Sequence, residues 1–274
     1  MTASQRRLLI AHALLIGAVT LTFAPLIWML GVSLKPPDAV FRNPLNPFPL
    51  DPTLANYRYV FSKADVLRQL LNSVIFAGGV TLGQLIIAVP AAYAFARWSF
   101  RGASVLFSLM LLSLPVPFVV FYVPNYILLS QLDLLNTFFA LIVPHWASAY
   151  GIFLLRQHFK SFPRSVIDAA RIDGAGDLEI LVRIILPTAR GTIAALAIYV
   201  AITTWNEYVW PLLVAPNPKM HTLTVGAAAF AGGEAGTFWG AVMAAALIAS
   251  AMTLVGYLFA RRQILEVLTE GAVK

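Results

Sequence analysis

Cysteine is absent from this 274-residue chain and charge is scarce. Without a thiol there can be no disulfide, no cysteine-ligated metal and no sulfur nucleophile. Only 11% of residues are Asp, Glu, Lys or Arg, against about a quarter in an ordinary soluble domain. No G-x-x-x-x-G-K-[ST] stretch occurs, so the chain has no loop of its own to cradle nucleotide phosphates. Nor is there a G-x-S-x-G nucleophile elbow. The four histidines (His12, His145, His158, His221) are dispersed, with no pair at the helical spacing of a metal site. No metal and no enzyme activity are therefore expected of this chain.

What is abundant is apolar length. The chain is 59% hydrophobic, with a mean hydropathy of +0.79. Six apolar runs, at about 8–32, 70–96, 103–130, 137–155, 192–214 and 238–260, each approach or exceed the ~20 residues that carry a helix across a bilayer. The expected fold is an all-α polytopic membrane protein, one permease-like domain over 1–274. The first run, after Arg6 and Arg7, is longer than a signal-peptide core of about 7–15 residues and reads as a retained span. Pro115, Pro117 and Pro124 fall in the third run, which should be kinked or broken. The 33–69 loop, with Pro36, Pro37, Pro44, Pro47, Pro49 and Pro52, leaves little regular structure before about Leu54–Arg68.

The net charge of +7 is scattered over loops and reads as topology rather than as a nucleic-acid surface. The termini with 97–102 and 156–190 hold 13 of the 19 Lys and Arg residues, and the remaining loops hold six. The positive-inside rule thus expects both termini and the 156–190 loop in the cytoplasm.

Within that loop, 163–187 is polar and reads as two short helices with a turn. Ser161 and Pro163 are expected to open the first, Gly174 and Gly176 to break it at φ > 0, and Asp177 to cap the second. Leu178, Leu181, Val182 and Ile185 fall at i, i+3, i+4 and i+7, one apolar stripe. The segment also carries a family pattern. Asp168-Ala169-Ala170, three residues, Gly174, nine residues, then Ile184-Ile185-Leu186-Pro187 resembles the E-A-A…G…I-x-L-P loop of ABC importer permeases. Asp168 departs from the family's glutamate but keeps its charge.

Further stretches resemble the carbohydrate branch of that family, of the maltose and glycerol-phosphate types. They are Asn72-Ser73, Ala91-Ala92-Tyr93-Ala94-Phe95-Ala96-Arg97, Leu135-Asn136-Thr137, Leu141-Ile142-Val143-Pro144, Trp205-Asn206-Glu207-Tyr208 with Pro211, and the tail from Leu268; the Trp205–Tyr208 cluster and Gly233-Glu234 followed by Trp239 lean toward the glycerol-phosphate type. The resemblance implies a bacterial cytoplasmic-membrane subunit that imports a sugar-like solute. It also implies a homologous second permease, an extracytoplasmic solute-binding protein, and an ATPase dimer that binds ATP and Mg²⁺. On it, Asp168, Ala169, Ala170, Arg171, Asp173, Gly174, Ile184, Leu186 and Pro187 couple to the ATPase.

Glu207 lies deep in the fifth apolar run, where a carboxylate costs a few kcal/mol. With Trp205, Asn206, Tyr208 and Trp210 it makes a polar, aromatic cluster suited to a sugar; the alternatives are an interfacial belt or helix packing. Tyr122 and Asn125, beside Pro124, are further pathway candidates, whereas Gln84 reads as a helix–helix hydrogen bond. Two alternative functions remain: a glycerol-3-phosphate or glycerophosphodiester importer subunit, or an ion-coupled secondary transporter using Glu207.

Overall fold

The computed structural model describes residues 3–36, 39–41, 46, 48–232 and 238–272. Gly233-Glu234 and the last two residues, Val273 and Lys274, lie outside them. All regular structure among the described residues is helical, with no strand. In chain order the helices are α1 (Ala3–Ser33), α2 (Ala55–Lys63), α3 (Val66–Arg97), α4 (Ala103–Leu112), α5 (Tyr122–Gln131), α6 (Phe138–Ile142) and α7 (Ala149–Ser161). They continue as α8 (Arg164–Ile172), α9 (Asp177–Thr188), α10 (Arg190–Trp205), α11 (Val209–Val214), α12 (Leu223–Ala228) and α13 (Trp239–Ala272).

Three stretches are long and apolar enough to cross a membrane alone: Gln5–Ser33, Val66–Arg97 and Trp239–Gly256. Other apolar runs are broken, and proline explains where. Between α4 and α5 the chain turns through Pro115 and Pro117 into a 3₁₀ turn at Phe118–Phe121, as the third run anticipated. In the fourth run Pro144 cannot donate to the Ala140 carbonyl, and the chain tightens into a 3₁₀ turn at Val143–His145, bending 46° before α7. In the fifth run Pro211 would clash with the carbonyl of Glu207, and the helix stops at Trp205 and restarts at Val209. The last two breaks were not expected from the sequence.

The chain divides into two compact units, Met1–Gln69 with Leu223–Met252, and Leu70–Thr222 with Thr253–Lys274. The first unit is held by polar seams. The buried Asn56 amide donates to the carbonyls of Ser33 and Lys35, both at 2.8 Å, and Gly240 leaves it room, since a Cβ there would sit 2.5 Å away. Gly226 likewise makes way for the Gln69 side chain.

The second unit has an apolar core centred on Phe76, Leu141, Leu155, Phe159, Ile185, Leu196 and Trp210. Its close packing depends on Gly79 and Gly83 of α3, a small-x-x-x-small pair. A Cβ at Gly83 would lie 1.9 Å from Trp146 Nε1, and one at Gly79 would lie 2.6 Å from Ile142. The indole N–H then donates to the Gly79 carbonyl at 3.1 Å.

Two asparagines tie down the stretch after α11. Asn72 donates to the carbonyls of Lys219 and His221, each at 2.9 Å. Asn136, in the left-handed region at φ 60°, donates its N–H to Val214 O and accepts from Asn217 N. Asn tolerates that conformation better than most residues.

Candidate functional site

The broken runs bring three polar side chains together. Tyr122 opens α5, His145 ends the 3₁₀ turn after Pro144, and Glu207 sits in the gap between α10 and α11. The Tyr122 hydroxyl donates to Glu207 Oε1 at 2.7 Å, and His145 Nε2 lies 3.0 Å from Glu207 Oε2. Glu207 keeps 17% side-chain exposure, while His145 is buried. Aromatic rings wall the pair: Phe118 stands 4.4 Å from the imidazole, and Phe76 and Trp210 meet it edge-on at 5.6 and 5.9 Å. Gln84 donates to the His145 carbonyl at 2.8 Å, an interhelical bond of the kind expected of it. A carboxylate drawn this far from water needs such partners, and it has them on both oxygens.

Glu207 is thus off the helix rather than in the middle of one. Its neighbours divide. Trp210 is fully buried, and its Nε1 donates to the carbonyls of Ala140 and Leu141, the first being the acceptor that Pro144 leaves without a helical donor. Asn206 is exposed and donates to Ile202 O, closing the end of α10. Trp205 is half-buried and Tyr208 exposed. Asn125 is half-buried one turn beyond Tyr122 and joins neither Glu207 nor His145. Sequence reading passed over His145; the available signal was a proline followed by a polar residue inside an apolar run.

The polar segment has its own geometry. Gly174 has φ +87°, and α8 ends there in a Schellman turn: Ala175 N–H reaches Ala170 O at 2.9 Å and Gly174 N–H reaches Arg171 O at 3.1 Å. Gly176, at φ −77°, is extended rather than left-handed. Ser161 closes α7 instead of opening α8, donating to His158 O. Asp168, Ala169, Arg171, Asp173, Gly174 and Pro187 are exposed, and Ala170, Ile184 and Leu186 half-buried.

Asp177 is no cap either. Its carboxylate accepts from Tyr93 OH, Trp98 Nε1 and Arg171 Nη2 at 3.0–3.1 Å, pinning the start of α9 to the end of α3. The Arg171 hydrogen bond is the main reason its carboxyl sits below the usual carboxylate range. The expected apolar stripe also shifts. Residues 180–185 form a π turn, whose five-residue repeat puts Ile180 and Ile185 inward with Leu181, leaving Leu178 and Val182 exposed.

Two arginines counted as loop charges are structural. Arg97 donates to the carbonyls of Phe159 and Phe162 at the end of α7. Arg156 donates to Phe95 O at 3.0 Å and stacks 3.8 Å over the Phe107 ring.

Apolar helices broken where buried polar side chains meet, with one amphipathic segment apart, define a polytopic membrane protein of the permease kind. The family profile "Binding-protein-dependent transport system inner membrane component" matches residues 66–264, and the chain belongs to that family. It is 32% identical over 249 residues to the sn-glycerol-3-phosphate transport system permease protein UgpE of Brucella suis, with 88% of each chain covered. It is 32% identical over 258 residues to the arabinooligosaccharides transport system permease protein AraQ of Halalkalibacterium halodurans, covering 91% of this chain and 90% of that one. It is 30% identical to the diacetylchitobiose uptake system permease protein NgcG of Streptomyces coelicolor, over 100% of this chain and 91% of that one.

Among solved structures, a bacterial ABC transporter involved in the import of the acidic polysaccharide alginate shares the fold at TM-score 0.81 and 22% identity, with 96% of this chain and 98% of that chain covered. The chain is therefore an inner-membrane permease subunit of a binding-protein-dependent importer, as its sequence implied. Glycerol-phosphate and oligosaccharide permeases stand side by side at equal identity, so the glycerol-3-phosphate alternative is not favoured. Membership of this family likewise does not favour an ion-coupled secondary transporter.

Proposed function

We propose that this subunit carries a sugar or sugar-like solute across the bacterial cytoplasmic membrane as one half of an ATP-driven permease pair. The chain forms one permease domain with six spans and both termini in the cytoplasm. A homologous permease completes the pathway, and an extracytoplasmic binding protein delivers the solute. ATP and Mg²⁺ are held by an ATPase dimer that docks on 163–187. Support for the solute class comes from the oligosaccharide and glycerol-phosphate names of the relatives. Support for the span count comes from three long apolar helices and from two bent pairs that pass the same length and composition test, Phe138–His145 with Ala149–Ser161 and Asp177–Thr188 with Arg190–Trp205, the second turning 79° where the polar segment meets the fifth run. The helices α4 and α5 are shorter apolar helices on either side of Pro115 and Pro117.

The observation that carries the coupling role is the Schellman turn at Gly174. It sets small Ala169 and Ala170 beside exposed Asp168, Arg171 and Asp173, a face a partner can approach closely. Ile184, Leu186 and Pro187 complete the segment's return. Gly174→Asp places a β-carbon at φ +87°, which costs roughly 1 kcal/mol or more. The ATPase should cease to co-purify and uptake should be lost, while the spans insert normally. Retention of both would reduce the segment to a linker.

Glu207 with Tyr122 faces the pathway on this reading, flanked by Trp205, Asn206, Tyr208 and Asn125, while Trp210 holds the wall behind it.

A further inference from the structure

The third, fourth and fifth apolar runs are each broken, and each break supplies one polar side chain to the same point. Tyr122 stands where the 3₁₀ turn at Phe118–Phe121 becomes α5, His145 ends the turn that leads toward α7, and Glu207 lies between α10 and α11. The breaks divide the three runs into two sets of pieces. In one set α7 and α10 run into the polar segment and α4 packs on α7; the other set is α5, α6 and α11.

Among the described residues the pieces pack most closely within each set, α7 with α4 and α10, and α11 with α5 and α6. In the first set Arg156 of α7 lies over Phe107 of α4, Tyr150 of α7 meets Tyr199 of α10 at 5.1 Å, and His158 meets Thr192 at 3.1 Å. In the second, Trp210 of α11 donates to the Ala140 and Leu141 carbonyls of α6 and stands 5.5 Å from the Tyr122 ring of α5. Each set thus holds together by its own contacts, and short breaks join the two. Element-terminal residues at such breaks are where a chain absorbs backbone rotation.

The unbroken α3 is the fixed neighbour of this joint, and His145 is the residue fastened to it. Gln84 of α3 donates to the His145 carbonyl, and the Phe76 ring closes on the imidazole at 5.6 Å. The imidazole is buried, and its Nδ1 has no partner among the described residues. Nε2 is then the nitrogen that carries the proton, and it donates to Glu207 Oε2 at 3.0 Å. Glu207 also accepts from Tyr122, at Oε1. With one nitrogen sealed and the other on Glu207, the imidazole has nothing to offer a solute; what it holds is the position of the carboxylate.

We propose that His145 is a positioning residue for transport: through Glu207 it pins the breaks of the third and fifth runs to α3, so that α5, α6 and α11 turn against α4, α7 and α10 about one point. The proposal rests on the importer reading, because ATP-driven transport supplies the movement. A charge-assisted hydrogen bond is about twice as strong as a neutral one and fixes direction as well as distance. It keeps the three breaks level while the pieces pivot. Apolar contact alone has no direction and would let each run bend at its own depth.

The test uses the intact importer, this chain assembled with its partner subunits. The chain has no cysteine, so spin labels enter it at chosen sites without removal of native thiols. One pair of exposed positions spans the joint, Leu106→Cys on α4 with Leu128→Cys on α5. A second pair lies within one set, Leu106→Cys with Gln157→Cys on α7. Between the nucleotide-free complex and the complex held with ATP unhydrolysed, the first distance should change by about 2 Å or more and the second should hold. His145→Phe keeps a ring among the aromatic neighbours but cannot donate. Its maximal uptake rate should fall about tenfold, with the solute concentration at half-maximal rate unchanged. His145→Gln, whose amide can donate to Glu207, should restore most of the rate. An unchanged first distance in the otherwise wild-type complex would overturn the proposal whatever the variants do, and it decides alone if His145→Phe does not assemble. So would a wild-type rate in His145→Phe, or a raised half-maximal concentration at full rate, which would make His145 a solute contact. Failure of the importer reading itself is seen separately, as absence of ATP-driven uptake by the wild-type complex.

Discussion

Tyr122 meets Glu207 at Oε1 and His145 meets it at Oε2, at 2.7 and 3.0 Å. Glu207→Gln keeps the shape and an acceptor for Tyr122 but removes the charge. Complex assembly should persist, since the loss is that of weakened charge-assisted bonds, about 1–3 kcal/mol. Solute uptake should fall by about tenfold or more, equivalent to about 1.4 kcal/mol at the transport barrier. Uptake assays in vesicles beside size-exclusion of the complex decide it; full uptake would assign Glu207 to packing. Gly83 offers a contrasting residue. A β-carbon there meets the Trp146 indole at 1.9 Å, so Gly83→Ala must displace the ring and break its bond to Gly79 O. Overpacking of this kind costs about 1–3 kcal/mol. Thermal unfolding of the complex should shift down for Gly83→Ala. For Gly78→Ala, where nothing lies within 4 Å, it should hold or rise slightly, since alanine favours a helix by up to about 1 kcal/mol.

The α8–α9 segment behaves as one element because Asp177 anchors it to Tyr93 and Trp98 while holding Arg171. The folded carboxyl titrates below its ordinary range, first because of the Arg171 hydrogen bond. A depressed carboxylate contributes stability above its unfolded value of about 3.9, and that contribution is lost as pH falls through the folded value. Hydrogen exchange over 164–188 should therefore be slow at neutral pH and rise on acidification below about pH 4. Asp177→Asn should exchange fast already at neutral pH and show little further change in acid. Identical profiles for the two proteins would mean that packing of Ile180, Leu181 and Ile185 holds the element unaided.

For the molecule as a whole, apolar faces on α1, α4 and α5 are extensively exposed, in keeping with lipid and partner contacts. The chain has no nucleotide-binding loop. Purified alone and reconstituted, it should show no ATP-driven uptake; addition of the second permease, the ATPase and the binding protein should restore it. Transport by the lone chain would overturn the proposed assembly.

Local features were legible in the chain itself. Glycine at 174 and prolines at 115 and 117 act on their own backbone, and the turn and the break stand where those residues require them. Apolar runs likewise announced the long helices, since hydrophobic length is a property of contiguous residues. Partnerships at long range were not legible. His145 and Tyr122 meet Glu207 across 62 and 85 residues, and Trp146 seats on Gly83 of another helix. Gly176 could have adopted φ > 0 but had no need to, because Gly174 alone completes the turn. Arg97 and Arg156 could be counted as charges, yet only packing of α3 against α7 brings them to carbonyls that lack donors. Periodicity and composition report what each residue prefers, and tertiary packing decides which preferences are met by which partner.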